Sequence, residues 1–170
     1  MKRITTLFML SLFSLGLACT NQSNSYKSTV EQALRQADLK DVTVSEDVDK
    51  NTITLGGTLH TDDAKARASD VAKSAAGPRV IANEIGVQPV GAESQAKDEA
   101  AALDDGIENN YKAALISSRL NQQHISYSVK NGVLTLTGSV HTSGERKQAE
   151  QLAGQIPHVQ QVVNQIEVKH

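Results

Sequence analysis

Apolar residues alternate with small polar ones from Val133 to Val140, so Leu134, Leu136, Gly138 and Val140 fall on one face of a predicted strand. Asn131-Gly132 stands directly before it. Both residue types tolerate positive φ, which a type I′ turn between paired strands requires, and the pair predicts a tight hairpin. The same pattern occurs 81 residues earlier, where Ile53, Leu55, Gly57 and Leu59 share a face after Lys50-Asn51. Carried through without a gap, that offset aligns residues 26–88 with 107–169 and leaves 15 of 63 positions identical. Leu55/Leu136, Gly57/Gly138, His60/His141, Asn83/Asn164 and Val87/Val168 are among them. The chain is a tandem repeat.

Each repeat predicts the order helix, strand, strand, helix, strand. In the first, Tyr26, Val30, Ala33, Leu34 and Ala37 recur on one helical face. Ser28 and Glu31 have capping-box spacing there, with Asn24 or Ser25 as alternative starts. Val42, Val44 and Val48 suggest a strand, and residues 52–59 a second. Thr61 then caps a helix whose first turn holds Asp62 and Asp63, and Ala64, Ala68, Val71, Ala72 and Ala75 form its buried stripe. Gly77-Pro78 ends that helix, and Ile81, Ile85 and Val87 make the last strand. In the second repeat Ile107, Tyr111, Ala114, Leu115 and Ser118 take the first helical face, and Ile125, Tyr127 and Val129 precede the hairpin. Thr142 and Glu145 form a better capping box, Ala149, Leu152, Ala153 and Ile156 the next stripe, and Val162, Asn164, Ile166 and Val168 the closing strand. Between the repeats, residues 89–105 break the pattern with five acidic residues against Lys97 alone. They read as an acidic linker whose Ala-rich middle is compatible with a helix.

Composition changes this picture in two places. A chain of 170 residues with 39% hydrophobic and 21% charged residues is an ordinary globular protein, yet only 3% is aromatic and there is no Trp. The cores must be built from Leu, Ile, Val and Ala, and little aromatic surface is left for stacking bases, which argues against nucleic acid as a partner. The second place is the N-terminus, where Lys2 and Arg3 precede a mostly apolar run over residues 4–17 that has the layout of a secretory signal. Fold reasoning therefore starts after residue 18. Cys19 is the single cysteine, so an internal disulfide is excluded. It follows Gly16-Leu17-Ala18, which resembles the lipobox of bacterial lipoproteins, although Leu15 stands one place too early. Two readings follow: lipidated Cys19 as a membrane attachment, or a soluble exported protein with an N-terminal thiol. Residues 19–25 read as a tether, whose six polar residues 20–25 reach at most about 20 Å when extended.

Gly132, Val133, Leu134, Leu136, Gly138, Val140, Val162, Asn164, Ile166 and Val168 closely follow the glycine-bearing strand and closing strand of a BON domain, which each repeat resembles. The first copy departs by having Asn51 in place of the hairpin glycine and Gly-Pro after its second helix. The resemblance implies an α/β (α+β) fold: two tandem small αββαβ domains, each a three-stranded sheet with two helices packed on one face. It divides the chain into signal peptide (1–18), tether (19–25), a first domain (26–88), linker (89–105) and a second domain (106–170). It also implies a periplasmic or outer-membrane protein linked to envelope integrity and osmotic stress. Some relatives bind anionic phospholipid, and none is known for catalysis.

Chemistry finds little support. There is no G-x-S-x-G elbow, no thiol beyond Cys19 and no Gly-rich phosphate loop, so no catalytic residue or cofactor is assigned. His60 and His141 lack a second His three to five residues away, and the aspartates at 47–49 and 62–63 lack calcium-loop spacing, so no metal is expected. Gly57 and Gly138 weaken strand interiors, which predicts that something approaches closely there, a tightly packed helix before a ligand. Asn83 and Asn164 read as satisfying backbone groups near the sheet edge. Charge is more informative: residues 26–88 carry 8 basic and 10 acidic residues, the linker 1 and 5, and residues 106–170 carry 6 and 4. Only the second repeat is basic. By the resemblance, its first helix is the contact surface, with Lys112 and Arg119 as ligand-binding residues for anionic phospholipid or an envelope protein. The rival reading is a soluble periplasmic chaperone that binds unfolded clients through exposed apolar surface.

Overall fold

The computed structural model describes residues 25–169, so the signal segment, Cys19 and the tether as far as Asn24 lie outside the described residues. The first unit runs α1 (Lys27–Gln36), β1 (Val42–Asp47), β2 (Thr52–Leu59), α2 (Asp62–Ala75), β3 (Val80–Asn83) and β4 (Gly86–Val87). The second runs α3 (Glu93–Ser117), a 3-10 turn (Leu120–Gln122), β5 (His124–Lys130), β6 (Val133–Val140), α4 (Ser143–Gly154), β7 (Gln161–Asn164) and β8 (Glu167–Val168). The architecture is mixed α+β and the same in both copies.

In each sheet the glycine-bearing strand is central. The hairpin places β1 antiparallel to β2, while the α2 crossover returns β3 and β4 parallel to it on the other side. The second sheet repeats this with β5, β6, β7 and β8. The third position is split because the chain turns inward between the two pieces, where Ile85 is fully buried and Ile166 is 3% exposed. Asn83 and Asn164 hold that kink. The Oδ1 of each accepts the N–H two residues on, from Ile85 and Ile166, and the Nδ2 of each donates to a helix carbonyl, that of Lys65 or Arg146.

Both helices of a unit pack on one face of its sheet. Val30, Leu34, Ala68 and Ala72 meet Ile53, Leu55, Leu59 and Ile85 in the first core. Ile107, Tyr111, Leu115, Ala149 and Ala153 meet Leu134, Leu136, Val140 and Ile166 in the second. The Ala pairs of α2 and α4 are fully buried, so those helices sit close to the sheet. Tyr111 is the one large departure, its ring edge-on to Tyr127 at 5.1 Å and its hydroxyl donating to the Ala149 carbonyl at 3.2 Å. Burial, with Tyr127 adding to it, pushes the Tyr111 phenol well above its ordinary range.

Capping follows expectation at α2 and α4. Thr61 accepts from the Ala64 N–H, and Thr142 with Glu145 completes a reciprocal box. At α1 the Ser28–Glu31 box does not form, because both residues lie inside the helix and the N-cap is Tyr26 with no side-chain cap of its own. The cap comes instead from across the sheet: the Glu46 carboxylate of β1 accepts the N–H groups of Tyr26 and Lys27 and the Ser25 hydroxyl. The two hairpins also differ. Asn131 and Gly132 both have positive φ, +49° and +79°, and Lys130 pairs directly with Val133 across a two-residue turn. In the first copy only Asn51 has positive φ, +54°, and four residues separate Asp47 from its partner Thr52. Residues 93–105 are helical and run without a break into the first helix of the second unit, giving α3 25 residues and a length of about 37 Å.

Candidate functional site

The close approach at Gly57 and Gly138 comes from backbone at the start of the neighbouring strand, Asp41 just before β1 and His124 in β5, not from a helix. Both have φ near +98°, and a Cβ built there would lie 2.2 Å from the Asp41 carbonyl oxygen or 2.0 Å from that of His124. They shape the sheet.

The Asn131-Gly132 turn does more than reverse the chain. Its two N–H groups donate to the two oxygens of Asp104 on α3, at 2.7 and 2.9 Å. Its Asn131 carbonyl accepts from Lys65 on α2, and the Asn131 side-chain amide donates to the Glu84 carbonyl at 2.8 Å. Lys130 adds a salt bridge to Glu84 at 3.4 Å. The turn is thus one point where the second unit is fastened to the first. Burial pushes the Lys65 ammonium below its ordinary range, with Asp62 and Asp104 opposing. Beside the turn, Ala82, Val133 and Val163 form a small buried apolar contact between the two sheets. Gln161 lays its amide along the outer edge of β3, accepting from the Asn83 N–H and donating to the Ile81 carbonyl. Gln165 donates to the Thr52 hydroxyl at 3.0 Å.

Sequence reasoning singled out Asn131-Gly132 for the turn alone. Its partners were hidden, since Lys65 and Glu84 lie 66 and 47 residues away. Replacing Asn131 by glycine keeps the positive φ and deletes only the bond to Glu84. A stability loss of about 1 kcal/mol is expected, together with faster independent tumbling of the second unit in 15N relaxation.

Lys112 and Arg119 are both exposed. Lys112 lies on α3, and Arg119 stands one residue past its C-cap at φ +59°. One turn after Lys112, Ile116 is 54% exposed. Neither cation is in a salt bridge among the described residues. The first unit answers differently at the matching positions, Glu31, Arg35 and Asp38. There Glu31 lies 3.9 Å from both Lys27 and Arg35, and Asp38 binds Lys40 at 3.1 Å. Positive charge on α1 is neutralised; on the end of α3 it is left beside an exposed apolar side chain. Ile116 escaped the sequence reading, though an apolar residue off the core stripe where the first copy has Arg35 was its signal.

His60 sits at its strand end with Nδ1 2.9 Å from the Gln88 carbonyl. Among the described residues no three His, Cys, Asp or Glu side chains converge as a metal centre needs, and no helix is long and apolar enough to cross a membrane. What the fold presents is a pair of joined αββαβ units, with exposed Ile116 at the end of α3 beside two cations that are in no salt bridge among the described residues. The BON domain family matches the chain twice, over residues 24–89 and 103–170, and the chain belongs to that family. No curated protein matches it. Among solved structures it is similar to the C-terminal domain of CdsD, a structural protein of the type III secretion system of Chlamydia trachomatis, at 14% identity and TM-score 0.35, with 82% of this chain and 62% of that one covered. A second structure of CdsD gives 14%, 0.35, 85% and 61%. The chain spans about three fifths of the length of either.

Proposed function

We propose that this protein is a non-enzymatic cell-envelope binding protein, exported to the periplasm and held at the outer membrane through lipidated Cys19. The division is the one the repeat suggests, with a first domain over 26–88 near the anchor and a second over 106–170 that makes the contact. Its ligand is anionic phospholipid or an envelope protein, in support of envelope integrity or osmotic-stress tolerance. Membership of the BON family supports the class. The observation that carries the reading is the end of α3, where Lys112 and Arg119 are exposed without a carboxylate partner beside exposed Ile116. Each basic residue near an anionic surface contributes about 1 kcal/mol, and an apolar side chain between them adds burial in the interface. The chaperone reading gains no comparable support: the exposed large apolar residues among those described are single side chains, Val80, Val90, Leu103 and Ile116, on separate stretches.

Charge reversal tests it. Lys112→Glu with Arg119→Glu is expected to lower flotation on phosphatidylglycerol vesicles by at least about tenfold, with the fold unchanged because both side chains are exposed. Unchanged binding would remove α3 as the contact surface.

A further inference from the structure

The 81-residue offset relates not only the two units but also the two ends of the contact between them. At the first end, adjoining clefts are lined by Lys65, Asn83, Val87 and Asn131. At the second, an open cleft of about 560 Å³ is lined by their counterparts Arg146, Asn164, Val168 and Lys50. The ends are therefore equivalent in position, yet they differ in chemistry. At the first, the Lys65 ammonium of one unit donates to the Asn131 carbonyl of the other at 3.3 Å. At the second, the counterpart of Asn131 is Lys50, so one cation from each unit lines the same cleft.

Neither of these cations is in a salt bridge among the described residues. The Arg146 Nη2 donates to the Asn164 carbonyl at 3.4 Å, and the Lys50 side chain has no hydrogen bond there. Two carboxylates also line the cleft. Glu167 is paired with Lys169 at 3.0 Å, and Asp49 is in no salt bridge among the described residues. The first end is joined through its cation; at the second, Gln165 joins the units by donating to the Thr52 hydroxyl at 3.0 Å, and neither cation takes part in that bond.

We propose that this cleft binds a phosphate-type oxyanion, which bridges Lys50 of the first unit and Arg146 of the second. A guanidinium offers two parallel N–H groups to such an anion and an ammonium offers a point charge, and together they span its oxygens. The bound anion adds a cation-borne fastening at this end, beside the Gln165–Thr52 hydrogen bond. The anion is a free phosphate or the phosphodiester of a lipid headgroup. This site lies apart from Lys112 and Arg119, and the proposal does not depend on their role.

The test is a 15N NMR titration of the mature chain carrying Cys19→Ser, first with inorganic phosphate and then with soluble short-chain phosphatidylglycerol, each matched in ionic strength by chloride. Saturable shifts centred on Lys50, Arg146 and Asn164 are expected with at least one of the two. Saturation by phosphate assigns a free anion, and saturation by the lipid alone assigns a headgroup. Lys50→Gln and Arg146→Gln are each expected to weaken binding at least about fivefold, and Asp49→Asn to tighten it about twofold. All three side chains are exposed, so the variants keep the fold. Shifts that never saturate with either probe, meaning an adventitious ion only, or saturation that persists unchanged in the Lys50→Gln and Arg146→Gln double variant, would overturn the proposal.

Discussion

Replacing Gly138 by alanine is expected to unfold the second unit. Its φ of +98° is a conformation L side chains rarely adopt, and the added Cβ would lie 2.0 Å from the His124 carbonyl oxygen and 3.1 Å from its carbon. Neither obstacle is a flexible side chain. The β5–β6 ladder, in which Gly138 pairs with Ile125, must open to relieve them. Backbone strain alone costs about 1–3 kcal/mol, and the broken pairing brings the total to about 4 kcal/mol or more. That is most of the stability of a small domain. Gly57→Ala should do the same to the first unit, where φ is +97° and the Asp41 carbonyl oxygen lies 2.2 Å from the added atom. Gly106→Ala is the control. It lies within α3 with nothing within 4 Å of an added Cβ, and it should stabilise by about 0.5–1 kcal/mol. Urea unfolding followed by circular dichroism separates these outcomes, and a Gly138→Ala variant as stable as the parent would contradict the geometry.

The second large effect is expected at Glu46. Its side chain is 3% exposed and binds the Arg79 guanidinium at 2.9 Å, while Arg79 also lies over the Tyr26 ring at 5.6 Å. Burial raises the Glu46 pKa, but hydrogen bonds from Ser25, Tyr26, Arg79 and Lys27 outweigh it and hold the carboxyl down to about 2, from an ordinary 4.5. A depressed carboxylate pKa stabilises the folded state above the ordinary value, and that contribution is lost as pH falls from about 4.5 towards 2. Acid should therefore weaken the first unit through this group. The second has Tyr127 at the matching position and no such dependence there. Glu46→Ala strips the cap from α1 and leaves Arg79 without its carboxylate, a loss of about 3–5 kcal/mol. Thermal unfolding from pH 7 to 2.5 should show the parent losing its first unit in acid and the variant losing it already at neutral pH. A pH-independent first transition would contradict the assignment.

Much of the fold was legible in the residues because the pattern occurs twice. Period-2 stretches around Leu55 and Leu136, helical stripes through Ala68 and Ala149, and the Thr142–Glu145 box are local signals, and they specify the same αββαβ order in each copy. What escaped depends on partners distant in sequence. Glu46 caps α1 from 19 and 20 residues away, which no capping motif encodes. The Ala-rich middle of residues 89–105 was compatible with a helix, but its unbroken run into the next helix was not signalled, nor was the role of Asp104, which holds the Asn131-Gly132 turn. Gly57 and Gly138 signalled a close approach, but a glycine does not reveal whether helix or strand comes near. At the candidate site, Lys112 and Arg119 were visible as charges on a basic half. That they lack ion-pair partners, while their counterparts in the first unit have them, required coordinates.

The central claim is that the second unit binds an anionic surface without any lipid on Cys19. The direct measurement is flotation of the mature chain carrying Cys19→Ser on anionic and on zwitterionic vesicles, at low and at high salt. Binding to the anionic vesicles alone, lost at high salt, is the predicted result. Absence of binding to either, or equal and salt-independent binding to both, would contradict the account and leave a protein partner as the ligand.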